Sequence, residues 1–315
     1  MHRSPSRPAF APTLAVVLVI ASLAMLGSGH PASASPAGFA FLKVPAGARA
    51  SAMGGAYASI AEGGEGAWWN PAALEGARGV EVLASHYEYL SALRHDQFAI
   101  AGRLFGGGIA ASIRALYSEP IPERDALGNL IGTFGSHDLE FGVSYGRAMA
   151  PGWRVGGSAQ AVRERIADAA ATTWAFGLGT TWNPVRWSGL RLSADLHDLG
   201  PVTHFTIDGT PGEPVRLPQG LRVGGSWTHG FGALTARGAL ENSMLSGQSS
   251  ITALGAELAH VSGFALRGGW RAGDTESAAS FGAGWAVRRL RMDYAFVPFR
   301  SGLGDTHRFS IAAQF

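Results

Sequence analysis

The stretch LEFGVSYG, from Leu139 to Gly146, places large apolar side chains at odd-numbered positions and polar or small residues at most even-numbered ones. A period of two is typical of a β-strand with one face in an apolar medium and the other towards a polar one. The pattern recurs from Val80 to Phe315 in about fourteen segments, an even number as expected of a bacterial single-chain barrel. We therefore predict an all-β fold, a transmembrane antiparallel β-barrel of about 14 strands over residues 80–315.

The polar face of these segments carries charges of both signs, which suits a hydrated lumen better than a protein core. Tryptophan and tyrosine side chains lie on the other face, mostly near segment ends, where the aromatic girdle of a membrane barrel is found. A soluble β-sandwich also alternates, but it accounts for neither the charged face nor the girdle. The candidate lumen-lining residues are Arg103, Arg114, Arg154, Arg191, Asp195, Arg222, Arg237, Glu241, Arg267, Arg291 and Asp293.

Short and long connections alternate along the chain. The long ones are residues 119–136 and 199–219, and the tight turns are predicted at residues 106–107, 150–152, 230–232, 262–263 and 288–289. In outer-membrane barrels the short turns face the periplasm and the long loops face outwards. We therefore predict a protein of the outer membrane, surrounded by its lipid, with both termini in the periplasm.

Residues 1–34 have the three-part layout of a secretory signal peptide. Arg3 and Arg7 precede an uncharged apolar run from Thr13 to Leu26, and a small-residue stretch ending in Ala34 follows. An uncleaved membrane anchor is the alternative, but the run is shorter than the roughly 18 to 20 residues of a spanning helix. We expect cleavage after Ala34.

Composition narrows the possible functions. The chain of 315 residues holds 45 glycines and only 15% charged residues, a poor match to a soluble helical fold. Its net charge of +2 is too small to indicate nucleic-acid binding, and the absence of cysteine excludes disulfides and thiolate metal sites. The Gly-x-Ser-x-Gly match at Ser144 lies inside a strand pattern with no helix after it. We predict no enzyme activity, no metal and no cofactor.

The carboxyl end adds a signal for assembly. Phe309, Ile311 and Phe315 fall on the apolar face of the last segment, and Phe315 is the final residue. This pattern resembles the terminal-strand motif that the barrel-assembly machinery of outer membranes recognises. We therefore predict that machinery as a partner.

Residues 35–79 do not alternate. They contain GAR at Gly47–Arg49, MGG at Met53–Gly55 and WWNPAA at Trp68–Ala73. In combination and order these motifs resemble the N-terminal region of the PorV/PorQ family, which is related to the FadL-type transporters of hydrophobic compounds. The resemblance implies that the segment folds inside the barrel as a plug or hatch. The plug candidates are Arg49, Met53, Gly54, Gly55, Trp68, Trp69, Asn70 and Pro71.

The resemblance leaves two functions open. In the PorV branch it implies a partner-binding component of type IX secretion, which contacts secretion-system subunits and escorts secreted cargo. In the FadL branch it implies passive transport of hydrophobic or amphipathic small molecules past the hatch. The two long connections are rich in proline, glycine and charge, whereas a transporter of hydrophobic compounds usually has apolar loops that form a capture groove. The sequence therefore favours the PorV/PorQ interpretation.

Overall fold

The computed structural model describes residues 38–88, 93–300 and 304–315, which belong to one compact unit. The predicted signal peptide, residues 1–34, lies outside the described residues. Among the described residues, no helix has the length and apolar character needed to cross a membrane.

Fourteen antiparallel strands close into a ring, which confirms the predicted fold class and strand number. The ring closes where the first strand pairs with the last, from Glu81↔Gln314 to Glu88↔His307. In order around the ring the strands are β1 (Glu81–Glu88), β2 (Leu93–Leu104), β3 (Gly107–Ser118), β6 (Ser136–Ala150), β7 (Trp153–Ile166), β8 (Ala169–Trp182), β9 (Leu190–Leu199), β12 (Gly220–Phe231), β13 (Leu234–Leu245), β14 (Ile251–His260), β15 (Phe264–Ala272), β16 (Ala279–Val287), β17 (Leu290–Pro298) and β18 (Asp305–Gln314).

The alternation that predicts the strands also assigns their two faces. On β6, Phe141 and Val143 are exposed, whereas Glu140, Gly142 and Ser144 are buried. Because successive side chains of a strand point to opposite faces, the apolar set forms the outer wall and the polar set faces inwards. The other strands alternate in the same way, although charged residues such as Arg147, Arg163 and Arg165 also lie on the outer face.

The connections divide the barrel into two ends. We call one the turn end, because it holds residues 105–106, 151–152, 183–189, 232–233, 261–263 and 288–289. We call the other the loop end, and it holds residues 119–135, 167–168, 200–219, 246–250 and 273–278. Two connections depart from the predicted asymmetry. β8 and β9 join at the turn end through the longer stretch 183–189, and β7 and β8 join at the loop end through Ala167 and Asp168 alone. Ala167 adopts a left-handed backbone conformation, φ 49°, that permits so tight a turn.

Two hairpins extend the loop end. β4 (Ile121–Arg124) pairs with β5 (Leu130–Phe134) in a separate two-stranded sheet. β10 (Thr203–Ile207) pairs with β11 (Thr210–Val215) and meets β8 at Thr206↔Ala170. The two long connections therefore contain strands of their own.

Residues 38–79, here called the N-terminal segment, are almost entirely buried. They contain helix α1 (Ala48–Ala52) and three short 3₁₀ helices, Ala40–Lys43, Gly63–Ala67 and Pro71–Gly76. The segment starts at the loop end, where Phe39 N donates to the Glu164 carboxylate, and finishes at the turn end beside Phe315. The segment therefore traverses the barrel before the first strand begins. The predicted periplasmic position of both termini stays a prediction, because residues 1–37 lie outside the described residues.

Candidate functional site

The N-terminal segment contacts all fourteen strands of the ring through hydrogen bonds, ion pairs or close backbone approaches. A segment that touches every strand of a closed ring lies within it. The contacts between this segment and the inner wall are therefore the candidate functional site.

Arg49 of α1 makes a bidentate ion pair with Glu257 of β14. Its Nε and Nη2 lie 2.8 and 2.9 Å from the two carboxylate oxygens, and its Nη1 donates to the Tyr57 hydroxyl at 3.0 Å. Arg237 and Arg267 also donate to Glu257, so three guanidinium groups surround one buried carboxylate. Because a buried charge without partners is costly, the segment and the wall depend on each other for this neutralisation.

A second group of charges lies nearer the turn end. Arg291 on β17 pairs with Glu65 of the segment, and its Nε donates to Asp293 at 2.9 Å. Asp293 also lies 2.9 Å from Arg267 Nη1, which joins the two groups into one network. Burial raises the pKa of the Glu65 carboxyl, but Arg291 and Arg49 outweigh this effect and hold the pKa below its ordinary value.

Backbone groups of the segment find their partners on the wall. The Glu241 carboxylate on β13 accepts hydrogen bonds from Tyr57 N at 3.1 Å and Ala58 N at 2.8 Å. Gly54 N donates to Ser280 Oγ on β16 at 3.1 Å. Glu241 satisfies two donors for which the segment's irregular backbone supplies no acceptor, and Ser280 adds a second acceptor to Gly54 N, which also donates to Ser51 O at 3.1 Å.

The Trp-Asn-Pro motif fastens the segment on another side of the ring. Asn70 caps the helix that Pro71 begins, since its Oδ1 accepts from Ala72 N at 3.0 Å, while its Nδ2 donates to Thr180 O at 3.1 Å. Trp69 Nε1 donates to Ala46 O at 2.9 Å, and its ring lies under Arg222, 5.1 Å from the centroid. Trp68 is half-buried.

Glycines on the inner wall make room for these residues. A Cβ at Gly108 would collide with Leu74 O, and one at Gly146 or Gly156 would collide with Pro71. Across the barrel, Gly269 and Gly282 leave room in the same way for Gly54 and Ala52. Sequence analysis missed this set, although glycines at inward positions in the middle of strands were a signal for it.

The structure brings the eleven candidate lumen residues to the inner face, mostly in ion pairs. Arg114 pairs with Glu140, and Arg222 pairs with Asp195 at 2.8 Å. At the turn end, Arg103 and Arg154 contact Glu75, and Arg191 lies 2.7 Å from Glu62. The other five, Arg237, Glu241, Arg267, Arg291 and Asp293, belong to the contacts described above.

An apolar cluster at the loop end was also missed. Phe39 and Phe41 are buried against Val162, Val215 and Leu217. Phe39 and Phe41 precede the motif at Gly47–Arg49. Their partners come from β7, from β11 and from the connection that follows β11. No local pattern could have joined such distant residues.

Two neighbouring cavities remain between the segment and the wall. One of about 520 Å³ lies at the loop end, with Leu245, Ile251 and Phe299 among its apolar lining and Lys43 and Arg271 among its charged lining. The other, of about 110 Å³, lies deeper and is bordered by Trp68, Trp69 and Arg222. Lys43, Val44 and Pro45 of the segment line both, as do Leu245, Ile251 and Arg271 of the wall, so the two cavities adjoin each other at this stretch.

Met53 is fully buried against the wall, and Gly55 faces the Trp69 ring. The predicted insertion-signal residues lie elsewhere. Phe309, Ile311 and Phe315 are all exposed on the outer wall of β18 and its end.

The fold resembles solved outer-membrane channels. The CymD monoaromatic hydrocarbon channel gives a TM-score of 0.60 at 13% identity, covering 85% of this chain and 97% of that chain. The Pseudomonas putida toluene transporter TodX gives 0.57 at 13% identity, covering 85% and 96%. A Pseudomonas aeruginosa FadL homologue gives 0.50 at 11% identity, covering 84% and 97%.

No protein-family model matches the chain, and no curated protein matches it. At the identities of the solved structures, the likeness establishes the fold alone. Fold and site define a closed 14-stranded antiparallel β-barrel whose fold is similar to that of outer-membrane channels. The similar solved proteins are channels and transporters, not enzymes.

Proposed function

We propose that the protein is a passive outer-membrane transporter of small hydrophobic or amphipathic molecules, and that the N-terminal segment is its plug. The observation that carries the proposal is a segment that contacts every strand of the ring yet leaves a cavity of about 520 Å³ at the loop end. This volume lies within the roughly 300–1,000 Å³ of small-molecule sites. Its mixed lining suits a molecule with an apolar body and a polar group.

In this proposal the loop end faces outwards and the turn end faces the periplasm, as in other outer-membrane barrels. A molecule enters the larger cavity and reaches the deeper one when the stretch from Lys43 to Pro45 moves. Beside the apolar contacts of Phe39 and Phe41, the segment is held by discrete ion pairs and hydrogen bonds, which water can replace. Export through residues 1–34 and insertion by the barrel-assembly machinery belong to the same proposal.

The second candidate is a partner-binding component of PorV/PorQ type in type IX secretion, with secretion-system subunits and secreted cargo as partners. The motifs at Gly47–Arg49, Met53–Gly55 and Trp68–Ala73 favour it. In the structure, however, Arg49, Gly54 and Asn70 of these motifs fasten the segment to the wall. That role is needed in any plugged barrel, so the motifs support a plug more directly than they support secretion.

A reversible lock tests the transport proposal. The chain has no cysteine, and Ala48 N lies 2.6 Å from Ser310 Oγ, so Ala48→Cys with Ser310→Cys joins the segment to β18. In proteoliposomes, we expect uptake of a monoaromatic or short amphipathic probe to fall on oxidation and to return with reductant. Each single cysteine variant is the control and should not respond.

The outcomes separate the two candidates. Uptake no faster than in protein-free vesicles, with or without reductant, contradicts transport and leaves the partner-binding candidate. In that case, secretion genes beside this one and cargo with the matching carboxyl-terminal domain are expected. Uptake that is fast in both redox states would mean that the segment does not control passage.

A further inference from the structure

We infer that Arg163 and Arg165, with His137, form a binding site on the outer wall for the phosphate groups of a lipid headgroup. The two arginines lie on the outward face of β7, and His137 lies opposite Arg165 on β6. All three side chains are exposed. This site is on the opposite face of the wall from the N-terminal segment and is independent of transport.

The depth of the arginines in the membrane follows from the strand ladder. Trp153 and Trp182 are paired at the turn end, where they begin an outward apolar row that runs through Leu178, Phe176 and Trp174. Ten residues separate Trp153 from Arg163, which at about 3.3 Å per residue and a tilt of about 40° is about 25 Å along the barrel axis. That distance is the height of the apolar band of outer-membrane barrels. Arg163 therefore lies at the membrane interface on the side of the loop end, and Arg165 lies slightly further towards the loop end.

Within the described part of the chain, neither arginine has a carboxylate that neutralises it. Among the described residues, no ion pair includes Arg163 or Arg165, and Arg165 Nε donates only to the Ala167 carbonyl, at 2.9 Å. The neighbouring carboxylates of the same strands, Asp138 and Glu164, point to the inner face. By contrast, the nearby outward Arg94 pairs with Glu119 at 2.8 Å.

Across the barrel, three neighbouring strands carry no such charge. The corresponding outward residues near the loop end of β13, β14 and β15 are uncharged, namely Met244, Thr252 and Ala272. A general attraction to an anionic surface would not need this clustering. Two guanidinium groups on one strand, with an imidazole beside them, match a phosphate on a headgroup whose acyl chains lie along the apolar row below.

Lipid retention tests the site. The full chain is assembled in phosphatidylcholine bilayers that contain either bisphosphorylated lipid A or its dephosphorylated form, then extracted in mild detergent and weighed by native mass spectrometry. We expect the wild type to retain the phosphorylated lipid preferentially. The double variant Arg163→Gln with Arg165→Gln should lower retention about thirty-fold. Each arginine near a membrane surface strengthens binding to anionic lipid roughly five-fold, and the two factors multiply.

Arg147→Gln is the matched control, because Arg147 is exposed on the outward face of β6 near the turn end and should not affect retention. Semi-native gel mobility checks assembly, and Arg165→Gln alone serves if the double variant fails to assemble. Equal retention of the two lipids by the wild type, or an equal loss in Arg147→Gln, would overturn the inference. Displacement of the lipid by millimolar inorganic phosphate would do the same, because the site would then bind free phosphate and not a headgroup.

Discussion

At the scale of single residues, the assignment of the outer face is tested at Val143. Val143 is exposed and pairs with Ala159, near the middle of the row between Trp153 and Arg163. Val143→Arg should reduce the stability of the barrel folded in lipid vesicles by about 2–4 kcal/mol, because it places a charge near the bilayer midplane. Val143→Leu, which stays apolar, should leave it nearly unchanged. Equal effects of the two substitutions would mean that this face does not contact lipid.

Phe315 offers a second test at this scale. Its backbone exchanges two hydrogen bonds with Val80, at 2.8 and 3.3 Å, and its ring is exposed on the outside. Deleting Phe315 should reduce the assembled, heat-modifiable fraction on semi-native gels without abolishing synthesis, whereas Phe315→Tyr should assemble normally. Unchanged assembly after the deletion would remove Phe315 from the insertion signal.

At the scale of elements, the strands were predictable and the path of the N-terminal segment was not. A period of two is a local signal, so β6 or β18 can be identified from its own residues. The direction of the segment depends on contacts between residues far apart in sequence, such as Phe39 with Glu164 and Val215. For the same reason, Arg49 and Asn70 could be selected as candidates, but their partners Glu257 and Thr180 could not be assigned.

The attachment of the segment should depend on pH. The pKa of Glu65 lies below its ordinary value of 4.5, although burial alone would raise it, because Arg291 and Arg49 favour the charged form. Because the pKa is lowered, the ion pair stabilises the attached segment fully when the pH is above the ordinary pKa of the carboxyl. This stabilisation is lost as the pH falls through the lowered pKa. We expect conductance in planar bilayers to stay low at neutral pH and to rise as the pH falls below 4.5 and through the lowered pKa of Glu65.

Glu65→Gln is the matched variant for this prediction, since it keeps the shape of the side chain and removes its charge. It should conduct more than the wild type at neutral pH and respond less to acid. Identical acid responses of the two proteins would mean that Glu65 does not hold the segment.

At the scale of the whole molecule, the ring and the N-terminal segment complete each other. The wall contributes the buried carboxylates of Glu241 and Glu257, which need donors, and the partly buried Arg291, which pairs with Glu65. The segment contributes those donors from its backbone and from Arg49. The wall leaves space that the segment occupies at Gly108, Gly146, Gly156, Gly269 and Gly282. We therefore expect the segment to resist protease in the assembled protein.

The most direct test of this account is planar-bilayer conductance of the full protein and of a variant that lacks residues 38–79, with semi-native gels to establish that the variant has assembled. We predict a closed or nearly closed full protein and a water-filled, conducting variant, because removal of the segment exposes the charged inner wall. Equal conductance of the two would contradict the plug, and with it the proposal of controlled passage through the barrel.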